Sequence, residues 1–171
     1  MKTILLDAAP LILLAKLNLL DALYERFRIV IPLEVAAEST VRKDLADAIY
    51  IQKLIMEKRI HTKKVSPSRV LHIHKEWGLG MGESAMLALA QSELIVMVTD
   101  DFAAMRVAKT MRLIFTTTPM IIVELRNQNI LSLELARAKL AELQKHAWIS
   151  PQILNRVKRS EEHTSELQSQ R

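Results

Sequence analysis

Five short apolar, β-branched runs alternate along the chain with longer stretches in which apolar residues return every three or four positions. This alternation constrains the fold more than any other feature. The runs occupy residues 3–6, 28–31, 61–65, 95–98 and 113–115, and each is the length and composition of a buried strand. Between and after them, stretches such as 43–59 and 131–146 carry the helical period. Strands that alternate with helices need crossover connections, so the sheet is expected to be mostly parallel and covered on both faces. The expected architecture is α/β, three layers around a central sheet of about five strands. All five prolines fit first helical turns, where the missing amide hydrogen costs nothing: Pro10, Pro32, Pro67, Pro119 and Pro151. Ser66, Thr118 and Ser150 stand ahead of three of them as caps.

With 171 residues, half of them hydrophobic, the chain can bury one substantial core but not two. It contains no cysteine, which excludes a disulfide framework, a thiolate metal site and a thiol nucleophile, and suits a reducing, cytoplasmic setting. The opening MKTILLDAAPLILLAK is apolar, but Asp7, Pro10 and Lys16 interrupt it, so neither an export signal nor a membrane span is expected. RSEEHTSELQS at 159–169 resembles the in-frame translation of a sequencing adapter. The expected division is one domain over 1–158 and a non-native or disordered tail over 159–171. Without that tail 22 basic residues face 16 acidic ones, a net charge of +6. Such an excess favours polyanionic partners without specifying them.

An open parallel sheet places its site just beyond the carboxyl ends of its strands. Those positions are acidic. The first run ends in Asp7, the second leads through Ile31-Pro32 into a stretch carrying Glu34 and Glu38, and the fourth delivers Thr99, Asp100 and Asp101. Glu83 opens a helix over 83–91 directly after Gly78-Leu79-Gly80-Met81-Gly82, which holds all three glycines of the chain. These glycines are expected to supply backbone conformations closed to other residues and so deliver a helix start. GLGMG lacks the dinucleotide fingerprint and a Lys-Ser/Thr ending, and an acid follows it, which disfavours a phosphate cradle. Singly, each acid also has a plain structural role, as a helix cap or a dipole partner. His72 and His74, two apart on a helix, face different ways and are expected to be solvated or packed rather than ligands.

ILLDAAPLILLAKLNLLDALYERFRIVIPLEVAAE followed by MGESAMLALA and IVMVTDDFAAMRVAK resembles the PIN-domain branch related to VapC-type toxins, a DUF3368-like sequence. The resemblance spans nearly all of residues 3–158. It implies a PIN-like fold, metal-dependent endoribonuclease activity as the toxin of a toxin–antitoxin pair, and a cognate antitoxin. It makes Asp7, Glu38, Glu83 and Asp101 the four acids, with Asp100 as a helper. Ala9 stands where this branch often has a small hydroxyl residue, Met105 where arginine is frequent, and Thr116-Thr117 in place of Gly-Thr.

Two carboxylates about 5 Å apart repel by roughly 3 kcal/mol at an effective dielectric near 20, so a gathered set of acids needs an offset. With neither Cys nor well-placed His, a hard cation, Mg²⁺ or Mn²⁺, is the natural one. Asp7, Glu83 and Asp101, with Asp100, are the expected ligands, and Glu38 the residue that holds or deprotonates water. Thr99 and Thr116 would orient them, and Arg106, Lys109 and Arg112 would contact the RNA substrate. The alternative is a non-catalytic PIN fold serving as an RNA- or protein-binding module. A phosphotransfer domain would want Asp-x-Asp after the first strand, where this chain has Asp7-Ala8-Ala9. Aromatic residues make up 4%, too few for a base-stacking platform, so the target RNA is not legible. The apolar stretches 11–20 and 120–125 suit a homodimer or an antitoxin helix, with core burial as the competing role.

Overall fold

The computed structural model describes residues 1–147. The helix start at Pro151 behind Ser150 and the tail at 159–171 lie outside the described residues. In chain order the elements are β1 (Lys2–Leu6), α1 (Ala8–Lys16), α2 (Leu20–Tyr24), β2 (Phe27–Pro32), α3 (Leu33–Ser39), α4 (Ala46–Met56) and β3 (Ile60–Lys63). They continue as α5 (Pro67–Trp77), α6 (Met81–Glu93), β4 (Val96–Val98), α7 (Phe102–Thr110), β5 (Phe115–Thr116), α8 (Thr118–Asn127) and α9 (Leu133–Leu143). Met1–Thr118 forms one compact unit that holds the whole sheet. The described part of the second unit, from Pro119 on, holds the rest of α8 together with α9, whose Ala136, Leu140 and Leu143 are buried.

The sheet is parallel throughout, in the order β3-β2-β1-β4-β5. β1 is central, pairing Leu5 with Val30 on one side and with Met97 on the other. Leu5, Leu6, Ile29, Ile31, Met97 and Val98 are essentially inaccessible, as befits strands covered on both faces. The chain winds outward from β1 through β2 to β3, then returns across β1 to β4. Right-handed crossovers are the rule for such connections, and α1 and α4 pack on each other while α6 lies against β1, β2 and β4. The switch in winding direction falls between β1 and β4, where an open sheet opens a crevice at its carboxyl edge. Asp7 leaves β1 at that edge and Thr99 to Asp101 leave β4 beside it, joined by the bond from Asp7 N–H to the Val98 carbonyl at 3.1 Å.

All five expected strands are present, with one displaced. Leu113 is not in β5, because its N–H closes α7 on the Ala108 carbonyl at 2.8 Å while Arg112 turns through φ 56°. The same left-handed exit recurs at Asn18, Lys58 and Asn129, each followed by a residue that bonds back to the helix end. With three glycines in the chain, helices end on residues that pay a steric penalty for φ > 0. Leu94, at φ 54° and 86% exposed, has that penalty without any packing to offset it. Leu94→Gly is expected to stabilise the fold by about 0.5–1 kcal/mol, read as a shift in urea midpoint.

Three helix starts differ from expectation. Pro32 is the last residue of β2 and the extended N-cap of α3, not its first turn. Ser66 holds the N-cap position of α5, but its hydroxyl pairs with Ser68 Oγ at 2.9 Å and caps nothing. Thr118 does not cap α8, since its hydroxyl donates to Asp100. Leu11, Leu14, Leu17, Leu19 and Leu20 of the first apolar stretch are buried in the core, while Ile12 and Leu13 are partly exposed. Among the described residues no helix is long and apolar enough to cross a membrane.

Candidate active site

Asp7 is the best-defined acid. It ends β1 and caps α1, its Oδ1 accepting from Ala8 N–H at 2.9 Å and its Oδ2 from the Thr99 hydroxyl at 2.9 Å. The residue is only 6% exposed. Burial pushes its pKa from 3.8 up to about 6; the two hydrogen bonds oppose the rise, and the charges of Glu83 and Glu38 add to it. Partial desolvation of the Glu38 carboxyl, then the charge of Glu83, raises the Glu38 pKa as well. Three of the expected acids, Asp7, Glu38 and Glu83, therefore act on one another through space.

The glycine segment explains how two of them are seated. Gly78 does adopt the left-handed conformation, φ 66°, ending α5. Gly80 (φ −62°) and Gly82 do not, contrary to expectation. Their missing side chains make room instead. A Cβ on Gly82 would stand 2.8 Å from Glu38 Oε2, and one on Gly80 would overlap Glu83 Oε2. Glu83 is the third residue of α6, folded back over the Gly80 N-cap, and α3 packs beside α6 to bring Glu38 over Gly82. His74 Nδ1 bonds the Leu79 carbonyl at 2.5 Å and pins this segment, while His72 pairs with Glu76 on the exposed side of α5. Neither histidine joins the acids.

Asp101 and Asp100 stand differently. Asp101 is exposed and caps α7, Oδ1 accepting from Ala104 N–H at 2.7 Å. It reaches Asp7 through Thr99, whose fully buried hydroxyl accepts from Asp101 N–H at 3.3 Å while donating to Asp7. Both oxygens of Asp100 are taken by Thr118, Oδ1 by its N–H at 2.8 Å and Oδ2 by its hydroxyl at 2.5 Å. Burial raises the Asp100 pKa against those two bonds. Asp100 thus fastens the chain where it leaves β5. Thr118→Val would strip the Oδ2 partner in a part-buried place and should cost about 1–3 kcal/mol in urea unfolding. Thr116 contributes its carbonyl, which accepts from Thr99 N–H at 3.1 Å. Arg106 and Lys109, three apart on α7, and Arg112 just beyond it are all exposed.

Sequence reasoning missed Thr118 as the holder of Asp100 and the two glycines as seats for carboxylates. The pairings of Asp100 with Thr118 and of Glu38 with Gly82 join residues far apart in the chain, whereas Glu83 meets Gly80 only three residues away. A second finding concerns Glu34, one turn before Glu38 on α3, whose Oε2 is buried without a hydrogen-bond partner. Among the described residues no three His, Asp or Glu side chains stand close enough to hold an ion as they are. What fits a hard cation is the chemistry: an all-oxygen donor set, three acids in one another's field, and a buried carboxyl whose ionisation is disfavoured. A groove of about 640 Å³ runs along α4, lined by Lys43, Ile49, Gln52, Lys53 and Met56 among others and by none of these acids.

No curated protein matches the chain. Several solved structures share its fold, two of them from Pyrobaculum aerophilum and Rickettsia felis. The crystal structure of PAE2754 from Pyrobaculum aerophilum is 19% identical, with a TM-score of 0.53 over 74% of this chain and 98% of that one. VapBC2 from Rickettsia felis, solved bound to a DNA fragment from their promoter, is 17% identical, with a TM-score of 0.50 over 67% of this chain and 98% of the other. The family model described as "DUF3368: PIN domain" matches residues 3–163, a span that takes in every strand and all the acids described above. The chain belongs to the PIN-domain family.

Proposed function

We propose that the chain is a Mg²⁺- or Mn²⁺-dependent endoribonuclease, the toxin of a toxin–antitoxin pair working in the cytoplasm. The observation that carries this reading is the buried Asp7 carboxylate at the switch point of the sheet, held by Ala8 N–H and the Thr99 hydroxyl, in a chain of the PIN-domain family. Asp7, Glu83 and Asp101 would hold the ion, with Asp100 behind them. A bound divalent ion supplies Lewis acidity at the phosphoryl oxygens. The chain's own residues do the rest. Glu38, at the exposed rim and with a raised pKa, orients a water and takes its proton as the water attacks phosphorus and the P–O bond to the leaving sugar oxygen breaks, that oxygen taking a proton from solvent. Thr99 fixes the Asp7 carboxylate and, through Asp101 N–H, the start of α7. Thr116 holds Thr99 by its backbone. Arg106, Lys109 and Arg112 sit exposed where they would grip the RNA backbone.

An antitoxin partner is supported by the likeness to a chain solved within a VapBC complex. The exposed Ile49 and Met56, seven apart on α4 beside the groove, would accept its apolar segment. The test of the activity is cleavage of a mixed RNA substrate with Mn²⁺. The wild-type chain should cut and be silenced by chelator, and Asp101→Asn should lose at least a hundredfold. Absence of Mn²⁺-dependent cleavage at micromolar protein would select the alternative, a non-catalytic RNA- or protein-binding module, which the unconverged acids would also suit.

A further inference from the structure

We infer that Gly82 and Gly80 are positioning residues: their hydrogen side chains are the seats on which the Glu38 and Glu83 carboxylates rest, and any larger residue displaces those carboxylates without unfolding the chain. The inference rests on the nuclease reading for its consequence but not for its geometry. Neither glycine is required by the backbone. Gly80 has φ −62°, open to every residue, and Gly82 lies inside the first turn of α6. Inside the first turn, where Gly82 stands, alanine would ordinarily be the more stable choice because glycine loses more freedom on folding, while at the Gly80 N-cap position glycine is itself favoured over alanine. What glycine provides is space. The first atom a Cβ on Gly82 meets is Glu38 Oε2 at 2.8 Å, with Val35 Cγ2 next at 3.8 Å, an ordinary contact. On Gly80 the three nearest atoms all belong to the Glu83 carboxylate. In both cases the obstruction is the far end of a flexible side chain and not backbone or core, so the fold yields cheaply and the carboxylate moves. Two acids from different helices are thus placed by two glycines two positions apart.

The consequence is a separation of stability from activity. Gly82→Ala should fold and melt 1–3 °C above wild type or level with it, yet cleave RNA at least tenfold more slowly with Mn²⁺. The control is the same substitution beside Glu38→Ala, where the new methyl group keeps only its ordinary contact with Val35 Cγ2. There Gly82→Ala should raise the metal-free melting temperature by more than it does with Glu38 present, and should slow the residual cleavage no further. Equal thermal gains in the two backgrounds would overturn the seat, whatever the wild-type chain cleaves. So would a Gly82→Ala protein that cleaves as wild type does, or a double variant that falls as far below Glu38→Ala as Gly82→Ala falls below wild type. A wild-type chain without metal-dependent cleavage would sink the nuclease reading alone, and the thermal comparison would still decide the seat.

Discussion

Replacing Asp7 by asparagine is expected to make the metal-free protein more stable and the nuclease inactive. At neutral pH the fold carries an ionised carboxyl that is 6% exposed, whose pKa has risen from 3.8 to about 6. Holding it ionised costs roughly 3 kcal/mol relative to the unfolded chain. Asparagine removes that cost while its carbonyl oxygen still accepts from Ala8 N–H and keeps α1 capped. The bond from the Thr99 hydroxyl to Oδ2 is lost or reversed, giving back about 1 kcal/mol. A net gain of about 1–2 kcal/mol remains, which raises the melting temperature by about 3–6 °C for a chain of this size. Cleavage should fall on the order of a thousandfold, since the substitution removes the acid around which the others are placed. Asp101→Asn is the contrast. That side chain is exposed and acts as a cap, a role asparagine fills equally well, so stability should stay within about 0.5 kcal/mol while activity is lost.

The second large effect is the response of stability to pH. Asp7 binds its proton more tightly in the fold than in the unfolded chain, so between pH 3.8 and about 6 the folded state holds the extra proton. Its stabilising contribution is therefore complete at low pH and is lost as pH rises through 6. Glu38 and Asp100, also raised, act in the same direction. Metal-free protein should be more stable at pH 5 than at pH 7.5 by about 1.5 kcal/mol from Asp7 alone, a reversal of the acid sensitivity usual for carboxylates. Saturating Mn²⁺ should abolish or invert the trend, because the ion binds the ionised form and protons compete with it. Urea midpoints at the two pH values, with and without Mn²⁺, check both halves of the statement.

How far the sequence disclosed this molecule follows from the range of each interaction. The strands were legible because a strand covered on both faces must carry an unbroken apolar run, and β1, β2 and β4 do so over Ile4–Leu6, Ile29–Ile31 and Val96–Val98. The positions of Asp7 and of Thr99 to Asp101 followed from the same runs, since a parallel sheet delivers its loops to one edge. Helix ends were not legible where Asn18, Lys58, Arg112 and Asn129 take the left-handed turn usually marked by glycine. α6 hid its role for a different reason. It is buried almost all round from Ser84 to Ala90, so it has no polar stripe to reveal which face meets the sheet. The pairings of Asp100 with Thr118 and of Glu38 with Gly82 bring together residues 18 and 44 positions apart, and no local pattern carries such information. Glycine is the instructive case. Its presence was visible, but whether it serves backbone conformation or clearance depends on what the fold sets against it.

Calorimetric titration of the metal-free chain with Mn²⁺ at pH 6, in two buffers of different ionisation enthalpy, tests most directly whether these acids await a divalent ion. The account predicts saturable binding accompanied by proton release, since Asp7 is about half protonated at that pH, and loss of both in Asp7→Asn. Binding that is absent, or that survives unchanged in Asp7→Asn with no proton released, would contradict it.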